Sequence, residues 1–498
     1  MNRQITRLAV ASIALIAALI VATTYWQTWA AGGLEARQDN AIQRVAEFTI
    51  DRGRIYAADG KTVLAKNVRR RMHGKSYFRR RYPKGALAPH VIGYASESRS
   101  RAGIERSVND YLTGANGSLR SVAESTIDQL TGVTVKGNDL VLTVDVPAQR
   151  AAVDALEGSC GAAVALQPST GRVYALASSP TFNSNAIENG FNRIRSRKSG
   201  ACSFAAPLLD RATQGLYPPG STFKVVTASA ALDSGRYTPE SEFVDPGYCI
   251  EYGKRVSNAG NPEIGPEIFG TLSLFTALQH SVNSVFCNIG KEIGAGKVLD
   301  YARRFGFYDE PGIDLPLDAQ SPSGLYKRGK LFLPKRPAIQ VDPGRLAFGQ
   351  ERLLVTPLQM AMVAGTIANN GVLMRPHLVD EVRTRDGKVV TRTKPQRVRR
   401  VVSPKVAREI NEMMQAAVTG GTGTAAQIPG VAVAGKTGTA EIGVQGRYTT
   451  SFITFAPADN PRVAVAVVLE NQRGFGGQTA APIAKEIMEA ILRKPSNT

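Results

Sequence analysis

Histidine and cysteine are scarce in this chain of 498 residues, with four of each. His73, His90, His280 and His377 are scattered, and Cys160, Cys202, Cys249 and Cys287 show no C-x-x-C spacing. These absences argue against an imidazole–thiolate metal centre, so no metal and no cofactor is expected. The chain also has no internal repeat and no low-complexity tract, and its composition is that of a globular protein rather than a disordered one. Acidic residues are short of basic ones, 41 against 61, which leaves a net charge of +20. That balance points to a polyanionic neighbour: nucleic acid, anionic lipid or an acidic wall polymer.

One long uncharged run is present, from Leu8 to Thr24. As a helix it is roughly 25 Å long, close to the thickness of a bilayer core. Arg3 and Arg7 precede it and place the N-terminus in the cytoplasm. Tyr25, Trp26 and Trp29 follow and suit the outer interface. The competing reading is a cleaved signal peptide, but Thr28-Trp29-Ala30 is a poor small-residue cleavage site, so an uncleaved single-pass anchor is expected. In either case the rest of the chain is exported and nucleic acid drops out as a partner. The clusters Arg69-Arg70-Arg71 and Arg79-Arg80-Arg81 then read as solvated or membrane-facing charge. In an exported chain the four cysteines can form disulfides. Three pairings are possible, and Cys160 with Cys202 and Cys249 with Cys287 is the one expected.

Length alone allows two or three domains. Residues 31–137 read as a small pedestal of short strands and turns. A strand at Asp139–Asp145 leads into a helix from Pro147, and a boundary is placed there. Cys160–Gln167 and Arg172–Ser178 read as two strands around Ser169-Thr170-Gly171, and Tyr448–Ala456 and Arg462–Glu470 as two more around Asp459-Asn460-Pro461. Ala480–Arg493 has helical periodicity. Strands from both ends with helices between them predict an α+β fold whose antiparallel sheet is closed by the two chain ends.

Three short strings carry the chemistry. Ser221 follows Pro218-Pro219-Gly220 and opens a helical stretch, so it sits at a helix N-terminus with Lys224 on the same face. A lysine whose pKa is lowered by burial or a neighbouring cation can take the serine proton. Ser281 and Asn283, between two amphipathic stretches, can relay a proton and hold a substrate amide. Lys436-Thr437-Gly438-Thr439 follows Val431–Ala434, which reads as a strand. Its edge can pair with an extended peptide, Gly438 lets that backbone approach, and Lys436 with Thr437 can bind a carboxylate. The N–H groups of Ser221 and Thr439 are candidates for an oxyanion hole. Each string alone has a plainer reading as a helix cap or surface lysine; Ser107-Val108-Asn109 matches the second string with no nucleophile before it.

Gly430–Thr437 also fits the P-loop pattern G-x-x-x-x-G-K-[ST]. Its middle residues are apolar, and Gly438, Gly443 and Gly446 follow where a P-loop needs a helix, so that reading is rejected.

With S-x-x-K, S-x-N and K-T-G in order, the chain resembles the class B penicillin-binding proteins. The likeness extends through Arg52-Gly53-Arg54-Ile55, Asp59-Gly60, Leu64-Ala65, Tyr82-Pro83, His90-Val91-Ile92-Gly93-Tyr94 and Gly103-Ile104-Glu105. It continues through Phe348-Gly349-Gln350 and Thr356-Pro357-Leu358-Gln359, and Ala212–Tyr217 suggests an actinobacterial branch. The resemblance implies an anchor in residues 1–30, a pedestal or dimerisation-type domain in 31–137 and a penicillin-binding transpeptidase domain of the serine β-lactamase type in 138–498. It implies a peptidoglycan DD-transpeptidase that acts on stem peptides and is acylated by β-lactams. Catalytic roles then fall to Ser221, Lys224, Ser281, Asn283 and Lys436, and substrate binding to Thr437, Gly438 and Thr439. The stretch before Gly137 is too short for a glycosyltransferase domain, so a separate multi-spanning glycosyltransferase of the shape-and-division class is the implied partner. Repeated C-terminal modules are not expected after Thr498. A β-lactamase, a DD-carboxypeptidase and a division scaffold are the alternatives.

Overall fold

The computed structural model describes residues 2–25, 48–72, 75–97, 99–114, 136–197, 202, 206–261 and 265–493. Trp26, Trp29 and the weak cleavage site at 28–30 lie outside them. The first helix runs Asn2–Thr24, longer than the apolar run alone. It is long and apolar enough to cross a membrane, and none of it is buried against the rest of the protein.

Two sheets organise the remainder. The pedestal sheet has six strands in the order Val389–Arg392, Val379–Arg383, Asp139–Leu142, Ile55–Tyr56, Val63–Met72, Lys75–Arg81. Ile55–Tyr56 pairs in parallel with Leu140–Val141, and the other pairings are antiparallel. Ile55, Leu64, Leu140 and Leu142 are fully buried at its centre. Gly53 is required there, because a Cβ would lie 1.6 Å from the Asn138 carbonyl oxygen. The boundary expected at 137/138 divides the sequence but not this sheet, which takes in Asp139–Leu142 and a hairpin from residues 379–392. Arg385, in that hairpin, donates to the carbonyls of Asp51, Arg52 and Gly137.

The second sheet has five antiparallel strands in the order Ala434–Glu441, Tyr448–Ala456, Val463–Gln472, Gly161–Leu166, Val173–Ser179. This is the predicted closure of one sheet by strands from both ends of the domain. Its central strands are nearly all apolar because both faces are covered. The helices Gly476–Leu492 and Val146–Ala155 pack on one face around Val465, Val467 and Ile487. The helix Pro357–Ala368, buried throughout, packs on the other. Thr356 caps that helix by accepting from the Gln359 N–H, and Pro357 takes its first position.

Both expected disulfides are present, Cys160–Cys202 and Cys249–Cys287. No cluster of potential metal ligands occurs among the described residues.

Candidate active site

The serine turn is built by close backbone contacts. Gly220–Phe223 forms a 3₁₀ turn that passes directly into the helix Lys224–Asp233, so Ser221 stands at a helix N-terminus as expected. Gly220 has a φ of +52°, open to glycine. Its N–H donates to the Gly349 carbonyl at 3.2 Å, and a Cβ on Gly349 would lie 2.3 Å from the Gly220 oxygen. The Phe348-Gly349-Gln350 segment therefore clamps the turn from behind. Thr222 donates back to the Pro219 carbonyl at 2.8 Å. Ser221 Oγ is left with no hydrogen-bond partner among the described residues and is half-buried at the cleft.

Lys224 is completely buried. Its Nζ donates to the Ser281 carbonyl at 2.6 Å, to Asn283 Oδ1 at 2.7 Å and to Ser281 Oγ at 3.3 Å. It also lies 5.3 Å from the centre of the Phe286 ring. Burial and the positive charge of Lys436 hold the Lys224 ammonium well below the usual lysine range. Ser281 can present both its carbonyl and its hydroxyl to one ammonium because it has a φ of +64°, a left-handed conformation that costs a serine of order 1 kcal/mol or more. Asn283 begins the helix Asn283–Arg304 and donates Nδ2 to the Ser257 carbonyl at 3.0 Å, leaving its second amide hydrogen free of that bond.

The third string lies elsewhere in its strand than expected. Val431–Ala434 does not form the strand before it: Ile428 and Val431 make an isolated bridge, and the strand itself is Ala434–Glu441, with the whole Lys436–Thr439 string inside. The strand is the edge of the five-stranded sheet, as substrate pairing requires. No helix follows, which disposes of the P-loop reading. Lys436 is fully buried, and burial pushes its ammonium down to about 7. Its Nζ donates to the Thr437 carbonyl at 3.1 Å. Thr437 and Thr422 share a hydroxyl–hydroxyl bond of 2.6 Å, and Thr439 Oγ1 accepts from the Gly476 N–H at 3.2 Å. At Gly438 a Cβ would meet Ser451 Oγ at 2.2 Å and the Pro219 carbonyl at 2.7 Å. The strand and the serine turn are thus in direct contact, and with Lys224 bonded to Ser281 and Asn283 the three strings lie together.

Ser107 and Asn109, the stray match, are structural. Ser107 donates to the Asp314 carbonyl at 2.7 Å and Asn109 accepts from Arg52 at 2.7 Å.

Several supporting residues carry no sequence signal. Asp245 is buried and accepts from Ser284 Oγ, from Asn258 Nδ2 and from the N–H groups of Gly247 and Phe269. Burial pushes its carboxyl up, but these four donors outweigh that and hold it below the usual range. Asn258 in turn accepts from the Ser284 N–H at 2.9 Å, fixing the chain just after Asn283. Thr422 and Phe286 complete the surroundings of Thr437 and Lys224.

The family model described as the penicillin binding protein transpeptidase domain matches residues 161–489. The chain belongs to this family. A model of the penicillin-binding protein A dimerisation domain matches residues 52–140. Among the similar proteins is the peptidoglycan D,D-transpeptidase PbpA of Mycolicibacterium smegmatis, 34% identical, with all of both chains covered. PbpA of Mycobacterium tuberculosis is 35% identical over 99% of each chain. The structure of penicillin-binding protein A from M. tuberculosis as a ceftriaxone acyl-enzyme aligns with a TM-score of 0.78 at 32% identity, covering 90% of this chain and all of that one. A D,D-transpeptidase domain from Eggerthella lenta aligns with a TM-score of 0.75 at 33% identity, covering 89% and 99%.

Proposed function

We propose that this chain, a penicillin-binding protein and peptidoglycan D,D-transpeptidase, transfers acyl groups through Ser221. Ser221 Oγ attacks the carbonyl between the two terminal D-alanines of a stem peptide while its proton passes to neutral Lys224. The N–H groups of Ser221 and Thr439 take the oxyanion. The C–N bond then breaks, and the proton reaches the departing D-alanine amine through Lys224 and Ser281. The amine of a second stem attacks the acyl-serine, closes the cross-link and frees Ser221. Asn283 holds the substrate amide. Lys436 and Thr437 take the terminal carboxylate, and Gly438 admits the substrate backbone. β-Lactams acylate the same serine.

The observation that carries this reading is Lys224: fully buried, bonded to both Ser281 and Asn283, and held well below the usual lysine range by burial and Lys436. A base so prepared is worth roughly 10²–10⁴ in rate. Intact-mass measurement of the full chain in detergent with benzylpenicillin, beside Ser221→Ala, tests it. A single stable adduct on the parent alone is expected. An adduct that persists on Ser221→Ala refutes the assignment, and turnover of penicillin without an adduct makes the protein a lactamase.

In this reading residues 1–30 hold a single-pass anchor with Arg3 and Arg7 in the cytoplasm and the catalytic domain on the outer face. Residues 31–137 form the pedestal and 138–498 the transpeptidase domain, which lends the pedestal a strand and a hairpin. A multi-spanning glycosyltransferase of the shape-and-division class supplies the glycan.

A further inference from the structure

Outside the cleft, unneutralised charge gathers in a groove of about 680 Å³ between the pedestal and the transpeptidase domain. Arg70, Arg79, Arg81, Lys84 and Arg150 line it, and no acidic side chain does. Alternation along the hairpin explains the grouping. Val68 pairs with Arg79 and Lys66 with Arg81, so Arg70, Arg79 and Arg81 share one face. Arg80 also borders the groove but turns its guanidinium inward, where it meets the buried carboxylate of Glu105 at 2.5 Å, a carboxylate it shares with Arg52. Of three successive arginines only the middle one is neutralised. Arg70, Arg79, Arg81, Lys84 and Arg150 have no ion-pair partner among the described residues.

Hydrogen bonds join the two walls of the groove. Asn185 accepts from the Tyr82 N–H at 2.9 Å and donates to the Tyr82 carbonyl at 2.8 Å, tying the two domains together along its floor. Gly85, with a φ of +52°, packs its turn on Asn183. Five cations lining one groove repel one another, with screening over a Debye length of about 8 Å at physiological salt. An anion that pairs with several of them at once relieves that repulsion. Four of the five are arginines, whose planar forks match phosphate oxygens two at a time.

We infer that this groove is a binding site for a ligand carrying two or more phosphate groups, separate from the penicillin-binding cleft. The same chemistry is offered by a soluble phosphate polymer and by an anionic lipid headgroup.

The test uses the full chain in neutral detergent at low salt. Calorimetric titration is run with tripolyphosphate and, separately, with a short-chain cardiolipin, whose headgroup carries two phosphates, below its micelle concentration. Tripolyphosphate binding that weakens tenfold or more in Arg79→Ser/Arg81→Ser is expected, with less than twofold change in Arg69→Ser/Arg71→Ser. The latter pair removes the same charge from the opposite face of the hairpin. Arg70→Ser/Lys84→Ser serves as a second variant, and an unchanged rate of penicillin acylation shows that each variant is folded. Arginine-dependent binding of the lipid assigns a headgroup, and of tripolyphosphate alone a soluble polymer. Equal weakening by the two hairpin pairs, or no binding of either probe, overturns the inference.

Discussion

Lys224 Nζ and Asn283 Oδ1 lie 2.7 Å apart, joining the first and second motifs through the lysine proposed as the base. Replacing Asn283 by Asp puts a carboxylate at that position. An opposite charge so close favours the ammonium and raises the lysine pKa. The base is then neutral only at higher pH. The ascending limb of the acylation rate against pH moves upward, and the rate at neutral pH falls about tenfold or more. Asn283→Ala loses rate without that upward movement. Rates with benzylpenicillin from pH 5.5 to 9.5 decide it, and superimposable profiles for Asn283→Asp and the parent count against Lys224 as the base.

Gly438→Ala forces the edge strand off the serine turn. The added methyl meets both Ser451 Oγ and the Pro219 carbonyl, and the second is backbone that cannot rotate away. Acylation is expected to fall by at least about 10²-fold, since a displacement near 1 Å at the reacting groups has that effect. Stability should drop by about 1–3 kcal/mol. Ser451→Ala alone should be nearly neutral, and adding it to Gly438→Ala should not restore the rate because the clash with Pro219 remains. Full rescue by the double variant contradicts this packing.

Lys436 makes the cleft less stable than an apolar replacement would. Its pKa is about 7 in the folded chain against 10.5 for an ordinary lysine, so the folded state holds fewer protons than the unfolded one between those values. Stability from this group therefore rises with pH across that window, and the penalty is full below about 7. Lys436→Met should raise stability near neutral pH by about 2–5 kcal/mol, from 1.36 kcal/mol per pKa unit, while abolishing acylation. The gain should shrink toward pH 10.5. Thermal melts of both proteins at pH 6.5 and 10 test the sign, and a gap that does not depend on pH removes the argument.

Much of the catalytic sheet was legible because its strands are local patterns: apolar runs such as Cys160–Gln167 and Arg462–Glu470 bounded by turn residues. The Lys436 strand was misplaced by a few residues for a physical reason. This strand carries polar residues at buried positions, and Lys436 and Thr437 hide the alternation that marks an ordinary edge. The apolar stretch before it looks more strand-like but makes only an isolated bridge. The motif residues themselves were readable because the chemistry fixes their types and order. Asp245 and Asn258 were not, since they act on Ser284 across 39 and 26 positions and no local pattern announces such a partnership. The hairpin at 379–392 was missed likewise, its partner strand lying more than two hundred residues earlier.

That hairpin has a consequence for how the molecule comes apart. Because Val379–Arg383 is paired with Asp139–Leu142, and Arg385 grips the backbone at Asp51, Arg52 and Gly137, the pedestal cannot peel away while the catalytic domain stays whole. The two regions should melt as one cooperative unit, and force applied through the membrane tether should reach the middle of the catalytic chain rather than only its N-terminal edge.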